Sequence, residues 1–269
     1  MIGVQLYGMR EDISRNPDAV FQALRDREID AVEPFLDLQD CNFSGPNPVF
    51  AHWKEYGFSL PSAHVHPWLL KEEKSIGKTL RALQQHTGIS TFDFSGLTET
   101  EEDGRRCGLI LGKAAKEIRD DGISILYHNH TMEFAVIPNT NQTILDVIFE
   151  TAEDTVGLQL DIGWAGIVGD ETAIARQYAD RIVEIHCKDF YHGARQYTWN
   201  NMPKDLFAPI GEGFIRTKEI LDMIPSFPHF NGAVLIDQDQ SAGNMPDDIR
   251  IGYHNIEKFM RSQDQDGAP

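Results

Sequence analysis

The sequence predicts an α/β fold, a (β/α)8 TIM barrel formed by the whole chain, residues 1–269, as a single domain. Three observations predict it. Eight short apolar runs alternate with amphipathic stretches of helical length, which is the pattern of a parallel sheet. The chain has 269 residues, enough for one barrel of roughly 250. Several runs also end on His, Asp, Glu or Lys, the residue types a parallel barrel gathers at the C-terminal rim of its strands.

The runs are Ile2 to Leu6, Ala31 to Phe35, Ser62 to His66, Thr91 to Phe94, Ser124 to Tyr127, Gly157 to Asp161, Val183 to His186 and Ala233 to Ile236. Between them, Pro17 to Arg27 places Val20, Phe21 and Leu24 on one helical face, with Pro17 suited to a first turn. Glu102 to Arg119 carries Cys107, Ile110, Leu111, Ala114, Ala115 and Ile118 at helical spacing and stops at Asp120-Asp121-Gly122. Thr143 to Thr151 and Thr172 to Tyr178 fit shorter helices. A doubly wound open sheet is the alternative. No Gly-rich nucleotide turn follows the first run, which counts against its commonest form. The irregular stretch Tyr191 to Pro209 is rich in aromatics, and loops of this kind shape the mouth of a barrel site.

Composition narrows the function. A formal net charge of −18 opposes nucleic acid, whose phosphates reward clustered Lys and Arg, and opposes anionic membrane surfaces. No window reaches the length of a membrane span. Met1-Ile2-Gly3-Val4 has no basic leader region, and Cys41, Cys107 and Cys187 fall at unrelated spacings. Reduced thiols and a cytoplasmic location are the expectation.

The chemistry lies at the run ends. Tyr127-His128-Asn129-His130 is followed by Glu133, so two imidazoles and a carboxylate can supply metal ligands or proton carriers. His128-Asn129-His130 matches the tripeptide of HNH nucleases, but the acidity of the chain opposes DNA binding. Asp161 precedes Gly163 and Trp164, and it reads either as a ligand for a divalent ion or as a helix N-cap. His186 and Lys188 alternate, so both face one side of the sheet while Cys187 faces the other. A buried Lys is costly unless paired or used. Asp237 and Asp239 share a face, where a cation or a proton would have to separate them. Gln5, Tyr7, Glu33, His64, His66 and Trp68 add amides, aromatics and acids near the same rim, a mixture suited to holding a sugar.

Taken together these segments resemble the sugar phosphate isomerase/epimerase group of xylose isomerase-like TIM barrels. The matching stretches are Gly3 to Tyr7, Tyr127 to His130 with Glu133-Phe134, Leu160 to Trp164, His186 to Phe190, Pro209 to Gly213 and Ile236 to Asp239. They occur in family order over nearly the whole chain. The resemblance implies one divalent metal, among Mn, Mg, Zn, Co and Fe, held by Glu133, Asp161, His186 and Asp237. The last is a departure, since the family usually has Glu before Gln-Asp. The implied chemistry is a metal-stabilised enediolate of a sugar or cyclitol hydroxy-ketone. Lys188 would stabilise the oxyanion or donate a proton, His128 or His130 would act as base, and His64 would orient substrate. Tyr7, Glu33, Trp164 and Asp239 would bind substrate. Reprotonation of the enediolate gives isomerisation or epimerisation, and loss of a β-leaving group gives dehydration. A nuclease on the same barrel would need a basic face, and a non-catalytic sugar-binding relative would bind no metal. A homo-oligomer is an option on analogy alone.

Overall fold

The computed structural model describes residues 1–36, 53, 55–65, 76–96 and 98–266. Its strands, in chain order, are β1 (Ile2–Gln5), β2 (Val32–Glu33), β3 (Phe35–Leu36), β4 (Ala63–Val65), β5 (Thr91–Phe94), β6 (Ser124–His128), β7 (Gly157–Asp161), β8 (Ile182–Cys187), β9 (Asp189–Phe190), β10 (Phe207–Ala208) and β11 (Val234–Ile236). Nine of them form one parallel sheet in the order β2-β1-β11-β8-β7-β6-β5-β4-β3. The two ends of that order, β2 and β3, are separated in the chain only by Pro34. Proline has no N–H to give a ladder, so one barrel strand is split, its first half pairing with β1 and its second with β4. Counted as one, it leaves eight strands in a nearly closed barrel, as the alternating pattern predicts.

Of the sequence expectations, His66, Trp68 and Cys41 lie outside the described residues. The seventh and eighth runs differ by one residue from their expected bounds, and the helices match to within one or two residues. Thr100 and Thr143 begin helices Glu101–Glu117 and Ile144–Ala152 with reciprocal capping boxes to Asp103 and Asp146. These two helices pack closely because Gly108 has no side chain. A Cβ there would stand 2.3 Å from the Ile148 carbonyl oxygen.

Strands buried on both faces read as continuous apolar runs, and Val4, Val32, Phe92, Leu158, Ile185 and Val234 are all fully buried. The barrel interior is unusual at one level. Glu33, Gln159 and Glu184 occupy it with no exposed surface, where branched aliphatic side chains are the norm. That polar layer lies directly beneath the strand ends that carry the chemistry. Cys107 and Cys187 are buried free thiols, and burial pushes both well above the usual thiol range. No helix among the described residues is long and apolar enough to cross a membrane.

Candidate active site

Four side chains from adjacent strand ends converge. His128 ends β6, Asp161 ends β7 beside it, His186 lies opposite Asp161 in register on β8, and Asp237 follows β11. One donor atom from each falls within 4.8 Å of all the others. His186 Nδ1 is 3.3 Å from Asp237 Oδ2, and His128 Nε2 is 3.9 Å from Asp161 Oδ2. Asp161 Oδ2 and Asp237 Oδ1 are buried and take no hydrogen bond. Two imidazoles, two carboxylates and two such oxygens in one pocket form a donor set that fits a divalent ion.

Local structure explains the convergence. Asp161 serves two purposes with its two oxygens. Oδ1 accepts from Trp164 N at 2.9 Å and caps helix Ile162–Val168, while Oδ2 turns to the centre. The N-cap reading of this residue holds, and its second oxygen stays free of that role. Asn129 clamps the same strand end, donating to the Asp161 carbonyl at 3.1 Å and accepting from its N–H at 3.0 Å.

Lys188 is the countercharge. Its Nζ lies 3.3 Å from Asp161 Oδ2, 2.9 Å from Asp237 Oδ2 and 2.5 Å from Asp239 Oδ2, and 4.8 Å from the centre of the Trp164 ring. Burial alone would favour a neutral amine, but the three carboxylates override it and raise its pKa. Burial pushes Asp237 upward as well, yet Lys188 and His186 hold it well below the usual carboxylate range. Asp161 is pushed up to about 6 by burial, against the pull of Lys188. His130 is pushed down to about 3, by burial first and then by Lys188. It is therefore a neutral imidazole, and its buried Nδ1 has no hydrogen-bond partner.

A cavity of about 430 Å³ opens over these groups, lined among others by Tyr7, His64, His130, Trp164, Lys188 and Trp199. That is a size suited to a small molecule. Trp199, Met202 and Phe207 come from the aromatic stretch after the seventh sequence run, as expected of a loop covering the site. Asp189 ties down the ends of that loop. Its carboxylate accepts from the N–H groups of Phe190, Gly211, Gly213 and Ile215 at 2.8–3.0 Å. Gly213 has to be glycine for this, because a Cβ would stand 2.1 Å from Asp189 Oδ1.

The structure brings most of the expected residues together here and leaves two, Glu133 and Glu33, outside both the cavity lining and the convergent set. Tyr7, Trp164, Asp239, His64, His130 and Lys188 line the cavity, and Asp161, His186 and Asp237 join the convergent set. Glu133 does not join it. One of its oxygens accepts from Tyr127 (2.7 Å) and Thr98 (2.9 Å) and the other from His130 N (2.8 Å), so both are consumed behind the cavity wall. His128, expected as a base, lines the cavity and is also one of the four convergent side chains. Glu33, expected to touch substrate, is fully buried below the cavity, with Oε2 2.9 Å from His186 Nε2.

Asp93 and Ser95 were missed by the sequence reading. Asp93 contacts His64 Nδ1, and Ser95 Oγ lies 3.1 Å from His64 Nε2. Alternation along β5 gives both residues the inward face, a signal too common to single them out. Gln159 was missed as well. It stands two residues before Asp161, on the same face of β7.

The profile of the xylose isomerase-like TIM barrel family matches residues 71–255. Among curated proteins, the rhizopine catabolism protein MocC of Rhizobium meliloti is 24% identical over 167 residues, covering 59% of this chain and 50% of that protein. The chain thus spans half the length of that relative. Among solved structures, a sugar phosphate isomerase/epimerase from Parabacteroides distasonis superposes with a TM-score of 0.74 at 16% identity, covering 95% of each chain. A D-tagatose 3-epimerase-like protein does so with a TM-score of 0.70 at 14% identity, covering 99% of each. At these identities the superpositions establish the fold.

Proposed function

The chain belongs to the xylose isomerase-like TIM barrel family, and from that premise we propose that it is a divalent-metal-dependent isomerase or epimerase of a sugar or cyclitol hydroxy-ketone. The observation that carries the reading is the convergence of His128, Asp161, His186 and Asp237, with two buried carboxylate oxygens that take no hydrogen bond. These four residues would hold the ion. When bound, it would supply Lewis acidity, polarising a substrate carbonyl and offsetting negative charge on the neighbouring oxygen.

The chain's own residues do the rest. His130 lines the cavity and its Nδ1 has no hydrogen-bond partner, which makes it the acceptor this reading assigns to the proton on the carbon beside the carbonyl. Lys188 keeps its proton and, 4.8 Å from the Trp164 ring, brings positive charge toward an oxygen that becomes anionic. Trp164 Nε1 is a buried N–H without a partner, a hydrogen-bond donor for a substrate hydroxyl. Tyr7, Trp164 and Trp199 offer faces for the C–H surface of a sugar ring. The aromatic loop held by Asp189 excludes water.

The test is proton exchange. Purified protein with Mn²⁺ is incubated in D₂O with a panel of ketopentoses, ketohexoses and inososes, and NMR follows deuterium entering the carbon next to the carbonyl. Exchange that disappears on chelation and returns with metal supports the reading, whichever product forms. Full turnover in metal-stripped protein, or no exchange with any of the panel, would sink it.

A further inference from the structure

Beneath the two histidines of the centre, a buried hydrogen-bond network closes on one side chain. Gln159 Nε2 donates to Glu33 Oε1 and to Glu184 Oε2, each at 2.9 Å, and Gln159 Oε1 lies 2.9 Å from His128 Nδ1. The two carboxylates are themselves fixed. Ser62 Oγ donates to Glu33 Oε1 and Asn231 Nδ2 to Glu184 Oε1, both at 2.6 Å. Gln159, Glu33 and Glu184 have no exposed surface, so the network is shielded from bulk solvent.

The donor and acceptor inventory leaves one consistent assignment. A primary amide has two N–H donors on its nitrogen and only lone pairs on its oxygen. Two carboxylate oxygens at 2.9 Å claim both N–H groups. The reversed amide would set its oxygen against both carboxylates and would require a proton on each. The oxygen therefore faces His128, and Nδ1 of that ring must be the donor. In a neutral imidazole the other nitrogen then carries a lone pair. That nitrogen is Nε2, which looks across 3.9 Å at Asp161 Oδ2. Two acceptors face each other there, beside the Lys188 ammonium that reaches Asp161 Oδ2 at 3.3 Å, and the Nε2 lone pair is left available to a ligand ion.

We propose that Gln159 is a positioning residue of the metal centre, which locks His128 in the Nδ1–H tautomer and so presents Nε2 as a ligand. The proposal rests on the metal-centre reading above and adds its orienting residue. Strand β7 then supplies both a ligand, Asp161, and, one pleat deeper, the group that orients a second ligand on β6. Glu33 and Glu184 act one step further out, by fixing the amide.

The tautomer is measurable without metal or substrate. Long-range ¹H–¹⁵N correlation spectra of metal-free, ¹⁵N-histidine-labelled protein are expected to show the Nδ1–H pattern for the ring that is lost in His128→Gln. An Nε2–H pattern for that ring overturns the proposal. Gln159→Met keeps the volume and removes the acceptor, and Mn²⁺ binding by calorimetry is expected to weaken about 10–100-fold. A folded Gln159→Met with unchanged Mn²⁺ affinity also overturns the proposal. Should that variant fail to fold, the wild-type spectrum decides alone. Failure of the wild-type protein to bind any divalent ion would instead sink the metal-centre reading, an outcome the tautomer spectrum does not depend on.

Discussion

Lys188 Nζ and Asp237 Oδ2 stand 2.9 Å apart at the buried rim of the barrel, and the same ammonium reaches Asp161 Oδ2 at 3.3 Å. Two of the four convergent groups thus share one countercharge with Asp239. Removing one partner of a buried ion pair strands the other at a cost of about 3–5 kcal/mol. Lys188→Met leaves three carboxylates close together, so its loss of stability is expected at the upper end of that range. Denaturant unfolding measures the loss. Added Mn²⁺ should raise the melting temperature of the variant more than that of the wild type, because the ion then supplies the missing positive charge. Equal shifts would contradict this assignment.

Asp161 lends itself to dissection. Asp161→Asn keeps an oxygen for the Trp164 N–H and loses the carboxylate, whereas Asp161→Ala loses both. Metal binding should fall in both variants. The alanine variant should be less stable than the asparagine variant by about 1 kcal/mol, the usual worth of an N-cap. Comparing their unfolding curves at one pH checks the split between cap and ligand.

Glu133 gives a pH signature away from the metal. Burial pushes its carboxyl up to about 7, against the hydrogen bond from Tyr127. The folded state therefore holds a proton that the unfolded chain releases near pH 4.5, so this group favours folding below that pH. The contribution fades as pH rises through 7, a change of order 3 kcal/mol by linkage. Glu133→Gln does not titrate, and its stability should vary less between pH 5 and pH 8 than that of the wild type. A variant with an undiminished slope would show that another group is responsible.

Asp189 should act on the loop. Asp189→Ala leaves four backbone N–H groups without their acceptor, and each buried donor left unmade costs about 1–3 kcal/mol. The segment carrying Trp199 and Met202 should be cut faster by protease, and KM for a substrate found by exchange should rise more than kcat falls. Unchanged cleavage within residues 191–209 would contradict the anchoring role.

The fold was legible because the apolar runs and the helical spacing point to the same barrel. The misread strand is the one split at Pro34, where two pairings share a single run. At the site, Asp161, His186, Lys188 and Asp237 could be singled out because each lies at or next to a strand end, where side-chain direction follows from alternation. Glu133 could not be placed that way. It lies on a turn beyond β6, where Tyr127 and Thr98 capture it, and spacing alone carries no information about such tertiary partners. Gln159, Glu33 and Glu184 look like ordinary strand residues until the barrel closes and brings β2, β7 and β8 onto one axis.

Metal content tests the central claim most directly. Elemental analysis of the purified protein, with calorimetric titration of Mn²⁺ into chelator-treated protein, should find one divalent ion per chain, with binding abolished in Asp161→Asn and His186→Gln. Protein that binds no divalent ion at millimolar concentration, or binds it equally well in those variants, would contradict the account.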